Sequence, residues 1–472
     1  MRFVFVFILV LISISSHAQS RRVSPTSTPV AASVVPADVP VKQMFDEANA
    51  YNRTKFAEYE QKKIAYSERL RLDTEREQKQ LAAKYATSAG TRTSPSGEDI
   101  YYTGLLHWIA ENYDGTTEAL KRYLDSEDQK PERMQNARSI IVYVFAKQKK
   151  FDDALKYLAD YENGGVTKMS DRWRMNSELA KSYIAAKDLP KAALHASKSY
   201  EASKALVKDS STKVNPADAV LDAGMLLFET NRDLGNVKEA DAALEDMRNT
   251  ASTINSPTFF YYASDKLITY QIESGRKALG LETYLASLIR AGKDFQSKEK
   301  GNEALQRLKK REKQYKLLNE AAPEIVGVDQ WFPGSPKTLA SLKGKVVLLD
   351  FWATWCGPCF DAFPALSEWH QDFTRDGLAI IGMTRYYGRA DGMPADHPTE
   401  IAFLKRFKEK HRLGYDFAVA DDQRTQTAYG ATALPTAVLI DRKGVVRYIE
   451  SGTNPTRIEE LRAMVIKLLA EK

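Results

Sequence analysis

The hydrophobic pattern of this 472-residue chain changes its period near residue 322. Before that point, helix-forming segments alternate with short polar turns. Beyond it, apolar runs such as KVVLLDF at 345–351 and TAVLI at 436–440 are typical of strands buried on both faces of a sheet. Because helix and strand patterns bury different faces, we expect a multidomain protein with an all-α N-terminal region and an α/β C-terminal domain.

The region beyond residue 322 contains further strand and helix patterns. LAIIGM at 378–383 predicts another buried strand, and DRKG at 441–444 predicts a hairpin turn into VVRYIE. Helical patterns cover 357–375, 399–412, 423–429 and 455–471. Strands that alternate with helices and end in a hairpin and a helix predict an α/β domain around one sheet, over residues 323–472.

The N-terminus reads MRFVFVFILVLISISSHA, in which one arginine precedes an apolar run of 12 residues and Ser16 and Ala18 are small. A transmembrane helix needs about 20 apolar residues, so residues 1–18 are predicted to be a signal peptide. An uncleaved anchor is the alternative. We therefore expect an exported protein of the bacterial periplasm or cell envelope.

Two segments separate this leader from the rest of the chain. Residues 19–40, rich in Ser, Thr, Pro and Val, are predicted to be a disordered linker. Residues 41–97 contain strong helix formers of mixed charge with sparse apolar positions, which predicts a charged long helix or a helical hairpin. A partner-binding coiled coil is the alternative for this second segment.

One sequence pattern recurs in residues 98–320, a polar turn followed by a helix with a central alanine. The alanines are spaced 35, 38 and 48 residues apart, and a large apolar residue stands 13 positions before each: Leu106 and Ala119, Ile141 and Ala154, Leu179 and Ala192, Leu227 and Ala240. Small residues at helix crossings and a period near 34 resemble a degenerate tetratricopeptide repeat. A non-repetitive helical bundle is the alternative.

The distribution of charge argues against a nucleic-acid partner. The net charge of +6 is small for this length, and Lys and Arg are interleaved with Asp and Glu, as in KKIAYSERLRLDTEREQKQ at 62–80. Nucleic-acid binding normally requires a basic stripe. No nucleic-acid partner is predicted.

Both cysteines of the chain, Cys356 and Cys359, lie in FWATWCGPCF at 351–360. A bridge between them closes too short a loop to restrict the unfolded chain, so it would stabilise the fold little. Metal ligation and thiol–disulfide chemistry remain. None of the six histidines has a metal-ligand spacing to another or to the cysteines, and two cysteines alone make an incomplete zinc site, so no metal is predicted. A lone pair in an exported protein points to redox chemistry.

The cysteine pair stands where a buried strand ends and a helix begins. Unpaired backbone N–H groups and the positive end of the helix dipole would stabilise a thiolate on Cys356. Cys359, one turn inside the helix, can attack a mixed disulfide formed by Cys356. Two cysteines at this spacing therefore suffice for exchange, with no cofactor besides their own disulfide.

The segment SLKGKVVLLDFWATWCGPC, followed by Pro364 and by YGATALPTAVLIDRKGVVR at 429–447, resembles the exported thioredoxin-fold thiol-disulfide oxidoreductases of the TlpA and ResA type. The resemblance covers about 323–470 and includes an insertion between Arg385 and Thr399. It implies a thioredoxin fold. A peroxidase is not predicted, because the PxxxTxxC arrangement of peroxiredoxins is absent.

The resemblance also implies roles for individual residues. In that family, the proline of the last segment is cis and faces the CxxC pair, and the matching residue is Pro435, preceded by Leu434. A cis proline there leaves neighbouring backbone groups free to pair with an extended substrate. Trp355, Gly357 and Pro358, which surround the first cysteine, are likewise expected to contact substrate.

One departure from the family pattern concerns Asp350, where many TlpA-like members have Asn. A carboxyl group buried near the pair would have a raised pKa and could accept the proton of Cys359 as that thiol attacks. The alternative is a structural carboxylate at the strand end, satisfied by backbone or Lys donors.

These features predict an exported thiol–disulfide oxidoreductase that reduces protein disulfides, with catalytic residues Cys356, Cys359 and Asp350. The family implies a membrane thiol donor as the source of electrons, and the helical region would bind a disulfide-containing protein client or another partner. Two alternatives remain open. The protein could be an envelope scaffold led by its helical repeats, or a disulfide oxidant or isomerase that differs only in redox potential.

Overall fold

The computed structural model describes residues 39–209 and 214–471. The predicted signal peptide at 1–18 and almost all of the predicted linker at 19–40 lie outside the described residues. The chain divides into two compact units, the described part of Met1–Asp128 and the described part of Gln129–Lys472. The helices predicted over 98–320 are therefore shared between both units, and the α/β domain belongs to the second.

The described part of the first unit consists of helices. They are α1 (Val41–Gln61), α2 (Glu68–Gly90), α3 (Gly97–Ile109) and α4 (Tyr113–Leu124). The chain turns between α1 and α2, and α2 begins where the Ser67 hydroxyl accepts a hydrogen bond from the Leu70 N–H. α1 buries only Val41, Met44 and Ala48, so most of this helical hairpin is a charged, solvated surface.

Helices also fill the N-terminal part of the second unit. They are α5 (Pro131–Lys147), α6 (Phe151–Asn163), α7 (Met169–Ala185), α8 (Leu189–Leu206), α9 (Pro216–Leu234), α10 (Val237–Thr253), α11 (Pro257–Glu273), α12 (Lys277–Lys293) and α13 (Lys298–Leu317). Helices that follow one another in the chain pack together in pairs, such as α5 with α6 and α7 with α8. Ala154, Ala192 and Ala240 are fully buried in the second helix of three pairs. Assignment to the tetratricopeptide family stays a prediction.

The C-terminal part of the second unit is an α/β domain. Its elements are β1 (Val328–Phe332), a short 3₁₀ helix (Ala340–Leu342), β2 (Val346–Phe351), α14 (Gly357–Phe373), β3 (Leu378–Arg385), β4 (Arg389–Ala390), β5 (Met393–Pro394), α15 (His397–Lys410), β6 (Asp416–Ala420), α16 (Arg424–Ala428), β7 (Thr436–Ile440), β8 (Val446–Ser451) and α17 (Pro455–Ala470). The main sheet has the order β1-β6-β3-β2-β7-β8. The predicted fold class, helices followed by an α/β thioredoxin fold, is confirmed.

The sheet is mixed, and two of its strands were not predicted. β2 pairs with β3, and β3 with β6, in parallel, whereas the pairs β2–β7, β7–β8 and β1–β6 are antiparallel. β6, whose apolar stretch is FAVA at 417–420, was not predicted although that stretch is as long as the one in β7. β1 escaped because its sequence, VDQWF, lies in a segment marked as a boundary by prolines and glycines.

Different helices cover the two faces of the sheet. α14, α15 and α17 pack against one face, in a cluster that includes Leu348, Leu404 and Val465. On the other face, Leu349 and its neighbours belong to one contiguous buried cluster with side chains of α13, among them Tyr315. The last helix before the α/β domain therefore supplies part of that domain's core.

No helix within the two described stretches of the chain is both long and apolar enough to cross a bilayer.

Candidate active site

The two cysteines lie at the junction of β2 and α14. β2 ends at Phe351, and Cys356 occupies the position just before the first turn of α14, with Gly357 and Pro358 beginning the helix. Cys359 lies inside that turn, and its N–H donates to the Cys356 carbonyl at 3.0 Å. The two sulfurs form a disulfide bond. The predicted placement at a strand-to-helix junction is thus what the structure shows.

The surroundings of the pair differ on its two sides. Cys356 and Cys359 are 4% and 1% exposed in the disulfide form, whereas Gly357 and Pro358 are exposed. Trp355 is 63% exposed and meets Tyr387 edge to face, with ring centroids 5.5 Å apart. An exposed indole therefore lies beside the buried disulfide.

The other tryptophan of the motif, Trp352, has a packing role. It is 1% exposed and contacts Phe363, Phe407 and Phe417, with ring centroids 4.9 to 5.5 Å away. Identical side-chain types three positions apart therefore serve different purposes.

The peptide bond between Leu434 and Pro435 is cis, as the family resemblance implied. Pro435 directly precedes β7, whose first residue, Thr436, pairs with Phe351 at the end of β2. The cis proline therefore lies at the same edge of the sheet as the cysteine pair. No hydrogen bond among the described residues uses the backbone groups of Leu434, so those groups are available to an extended substrate.

Two residues after β8 connect the cis-proline loop to the cysteine helix. The Gly452 N–H donates to the Pro435 carbonyl at 2.7 Å, and the Thr453 hydroxyl donates to the Pro358 carbonyl at 2.9 Å. Gly452 has a φ of +87°, which favours glycine. The sequence reasoning missed both residues. The signal available was the glycine that follows the last strand.

Asp350 occupies β2 on the face toward α14. Its side chain is 3% exposed and lines a cavity of 30 Å³ together with Ala362, Leu366 and Pro435. Among the described residues, no donor bonds its Oδ2 atom. Burial raises the pKa of Asp350 to about 7. The backbone or Lys donor expected of a structural carboxylate is therefore absent from that oxygen in the described part of the chain.

The same cavity is lined by a second carboxyl group and by an arginine. These residues are Glu450 and Arg457. Glu450 forms salt bridges with Arg457 at 3.3 Å and with Arg311 of α13 at 3.4 Å. The cavity has room for one or two water molecules, since each needs about 10–15 Å³. Sequence reasoning missed these three residues because they are separated from Asp350 by 39 to 107 positions.

The insertion after β3 is anchored beside Trp355. Both oxygens of the buried Glu400 carboxylate accept backbone N–H groups, from Tyr387 at 2.8 Å and Gly388 at 2.9 Å. These two hydrogen bonds hold the loop that contains Tyr387, whose ring contacts Trp355.

The family model described as the AhpC/TSA family matches residues 318–449. Thiol-disulfide oxidoreductase ResA of Bacillus anthracis is 33% identical over 135 residues, which cover 29% of this chain and 70% of that relative. Protein DipZ of Mycobacterium bovis is 36% identical over 148 residues, covering 29% of this chain and 19% of the relative. This chain thus spans about a fifth of the length of DipZ.

Among solved structures, a thiol-disulfide isomerase from Corynebacterium glutamicum matches with 23% identity and a TM-score of 0.28, over 32% of this chain and 98% of that chain. The family match begins at residue 318, within the part of the chain that contains the α/β domain. Helices α1 to α13, the last of which ends at Leu317, lie outside it.

Proposed function

Because the chain belongs to the thiol-disulfide oxidoreductases of the ResA type, we propose that it reduces disulfide bonds of a protein client with the Cys356–Cys359 dithiol. The observation that carries the proposal is the cysteine pair at the start of α14, beside a cis proline at the same edge of the sheet. The pair is its only redox group, with no metal or other cofactor taking part.

The exchange proceeds in two balanced steps. The Cys356 thiolate attacks one sulfur of the client disulfide, forming a mixed disulfide, and the other client sulfur leaves as a thiolate. Cys359 then attacks the Cys356 sulfur and releases the second client thiolate. Two electrons pass to the client, and the protein is left with the Cys356–Cys359 disulfide.

Asp350 receives the proton of Cys359 in the second step. Support comes from its unpartnered Oδ2 atom, from its raised pKa and from its cavity, which is lined by Ala362 one turn after Cys359 on α14. A carboxyl group with a pKa near 7 is about half ionised at neutral pH, so it can both accept and release a proton there. A water molecule in the cavity would complete the path from thiol to carboxylate.

The client docks in extended form along Leu434 and Pro435, with Trp355, Gly357 and Pro358 forming the other side of its path. Support comes from the exposure of those three residues and from the unused backbone groups of Leu434. The leader MRFVFVFILVLISISSHA supports export to the periplasm or envelope. There, a membrane thiol donor would reduce the disulfide again.

The test is the reduction potential of the pair, measured in the full-length mature protein against defined thiol buffers by tryptophan fluorescence. A reductant of this kind should have a potential near about −270 mV. A potential near about −120 mV would instead indicate an oxidant that forms disulfides.

The variant Cys359→Ser serves as control. It should form the mixed disulfide with a client and fail to release it, because the resolving thiol is absent. Failure of the native pair to exchange at all would assign the function to the helices, as a scaffold.

A further inference from the structure

Helix α13 concentrates the positive charge of the protein. Its 20 residues contain eight Lys or Arg and three Glu, a net charge of +5, whereas the whole chain carries +6. Part of this charge is neutralised, since Arg307 pairs with Glu303 at 2.9 Å and Lys316 with Glu312 at 2.6 Å. Arg311 is buried in contacts with other carboxylates.

Three exposed lysines in the C-terminal half of the helix form no salt bridge with any residue that the structure describes. Lys309, Lys310 and Lys313 are exposed, and within the described residues no carboxylate lies within 4.0 Å of their ammonium groups. All three line one open groove of 540 Å³ together with the paired Glu312 and Lys316, and the loop Gly430–Thr432 and Gln426 of α16 form its opposite wall. A second groove, of 480 Å³, shares Lys310 and Thr432 with the first and adds Ala433 and Arg307. We call the two together the basic trough.

The trough is held rigidly against the α/β domain. The Gln314 side-chain amide donates to the Gly430 carbonyl at 2.8 Å. A Cβ atom at Gly430 would lie 3.3 Å from Cβ of Lys313, so the loop backbone is in direct contact with α13. Gly430 has a φ of +64°, which further restricts this position to residues that tolerate the left-handed region.

The loop that forms one wall of the trough leads along the chain to the cis proline. Thr432, on its wall, is three residues before Pro435 and therefore at most about 11 Å away along an extended backbone. Ala433 lines the trough and Leu434 follows it directly. A polypeptide whose cystine lies at Cys356 and whose backbone follows Leu434 would reach the lysines within about three to six residues.

We propose that the basic trough binds an acidic, extended segment of the protein client, within a few residues of the cysteine that Cys356 attacks. This rests on the proposed function and specifies its substrate class. Three exposed lysines that form no salt bridge within the described part of the chain complement Asp and Glu side chains, and their excess positive charge near the cis-proline loop would speed the association of such clients.

The experiment compares two cystine-containing peptides that differ only in the four residues on each side of one cysteine, Asp and Glu in one and Asn and Gln in the other. The full-length protein, reduced beforehand, should reduce the acidic peptide in a single turnover with a second-order rate constant about tenfold higher. The triple variant K309Q/K310Q/K313Q should lose most of that preference. Raising the salt from about 0.01 M to 1 M should also remove it, because the Debye length falls from about 30 Å to 3 Å.

A matched control is K238Q/K293Q/K298Q, which removes the same charge from exposed positions outside the trough. This control should retain the preference. Equal rates for both peptides with the native protein, or a preference that survives in K309Q/K310Q/K313Q, would overturn the inference while leaving the proposed function intact. No reduction of either peptide would overturn both.

Other anionic occupants give a different pattern. If phosphatidylglycerol vesicles or a DNA oligonucleotide bind the native protein but not K309Q/K310Q/K313Q, and the peptides are reduced equally, the trough serves that surface and the inference is wrong.

Discussion

At the scale of single residues, Asp350 combines burial with the lack of a hydrogen-bond donor at Oδ2 among the described residues. Such a carboxyl group is costly to ionise, which is why its pKa rises to about 7. A protein retains a costly group of this kind most readily when the group takes part in chemistry. This reasoning leads to one kinetic and one thermodynamic prediction.

Asp350→Asn should slow the second exchange step by at least about tenfold at pH 8, because a general base contributes about 10²–10⁴ to such a step. Below pH 6 the native carboxyl group is protonated, so the two rates should converge. Stopped-flow tryptophan fluorescence of a single turnover with a small disulfide measures both limits. Asp361→Asn, at an exposed position of α14, is the control and should follow the native profile. Superimposable pH–rate profiles for Asp350→Asn and native protein would remove Asp350 from the mechanism.

The same substitution should stabilise the oxidised protein at alkaline pH. The pKa of Asp350 is raised in the folded state from 3.8 to about 7, so native stability is retained below pH 4 and lost as pH rises from about 4 to 7. The neutral Asn avoids this loss, which amounts to at most about 4 kcal/mol. Urea unfolding at pH 4 and pH 8 should show a gain for the variant at pH 8 only. An equal effect at both values would mean that ionisation is not its cause.

At the scale of elements, α13 is tied to the sheet by a buried polar network. Arg311 donates to Asp265 of α11 at 3.0 Å, to the Ile449 carbonyl at 3.2 Å and to Glu450 at 3.4 Å. The Tyr315 hydroxyl also donates to Asp265, at 2.5 Å. One guanidinium group therefore joins a helix of the array, the last strand and the carboxylate that lines the cavity of Asp350.

Arg311→Met should lower the free energy of unfolding by about 3–5 kcal/mol, because it removes a buried guanidinium and leaves the partly buried Asp265 without its cation. Glu450 retains Arg457, so the lower end of that range is expected. Urea denaturation measures the loss. On the same helix, Arg307→Met breaks only an exposed pair and should cost less than about 1 kcal/mol. Similar losses for both variants would contradict a special role for the buried network.

At the scale of the whole molecule, the change of sequence pattern near residue 322 does not coincide with a break in packing. Residues 319–322 form backbone hydrogen bonds with the turn and strand at 444–446, including the Asn319 N–H to the Val446 carbonyl at 2.8 Å. Buried side chains of α13 and of the sheet belong to one cluster. The α/β domain therefore shares its core with the helices before it.

A chain shortened to begin at residue 323 should fold poorly, because Leu349, Phe351 and Met383 would lose the cover that α13 contributes. A chain that begins at Gln129 keeps the whole second unit and should unfold cooperatively. Thermal denaturation followed by circular dichroism, with dye binding to exposed apolar surface, distinguishes the two. A cooperative transition in the shorter chain would show that the sheet is stable without α13.

Much of this architecture was readable from local sequence. The apolar runs at 345–351 and 436–440 became β2 and β7 almost to the residue, since a strand buried on both faces leaves an unmistakable pattern. The CGPC segment placed both cysteines at a helix start, because Gly and Pro favour that position. Strand β1 was missed because it is short and carries polar residues at an edge, and β6 was missed although its apolar stretch is as long as that of β7.

The sequence by itself therefore determined the fold class and the cysteine pair at a helix start, which depend on residues close together in the chain, and the family resemblance implied the cis proline. Only the tertiary structure decided which residues surround the buried Asp350. It also decided that Gly452 and Thr453 join the cis-proline loop to the cysteine helix, and that the lysines of α13 line a groove with the loop Gly430–Thr432. These contacts join positions up to 139 residues apart, as between Arg311 and Glu450. No local pattern encodes such pairs, because burial and close approach are properties of the packed chain.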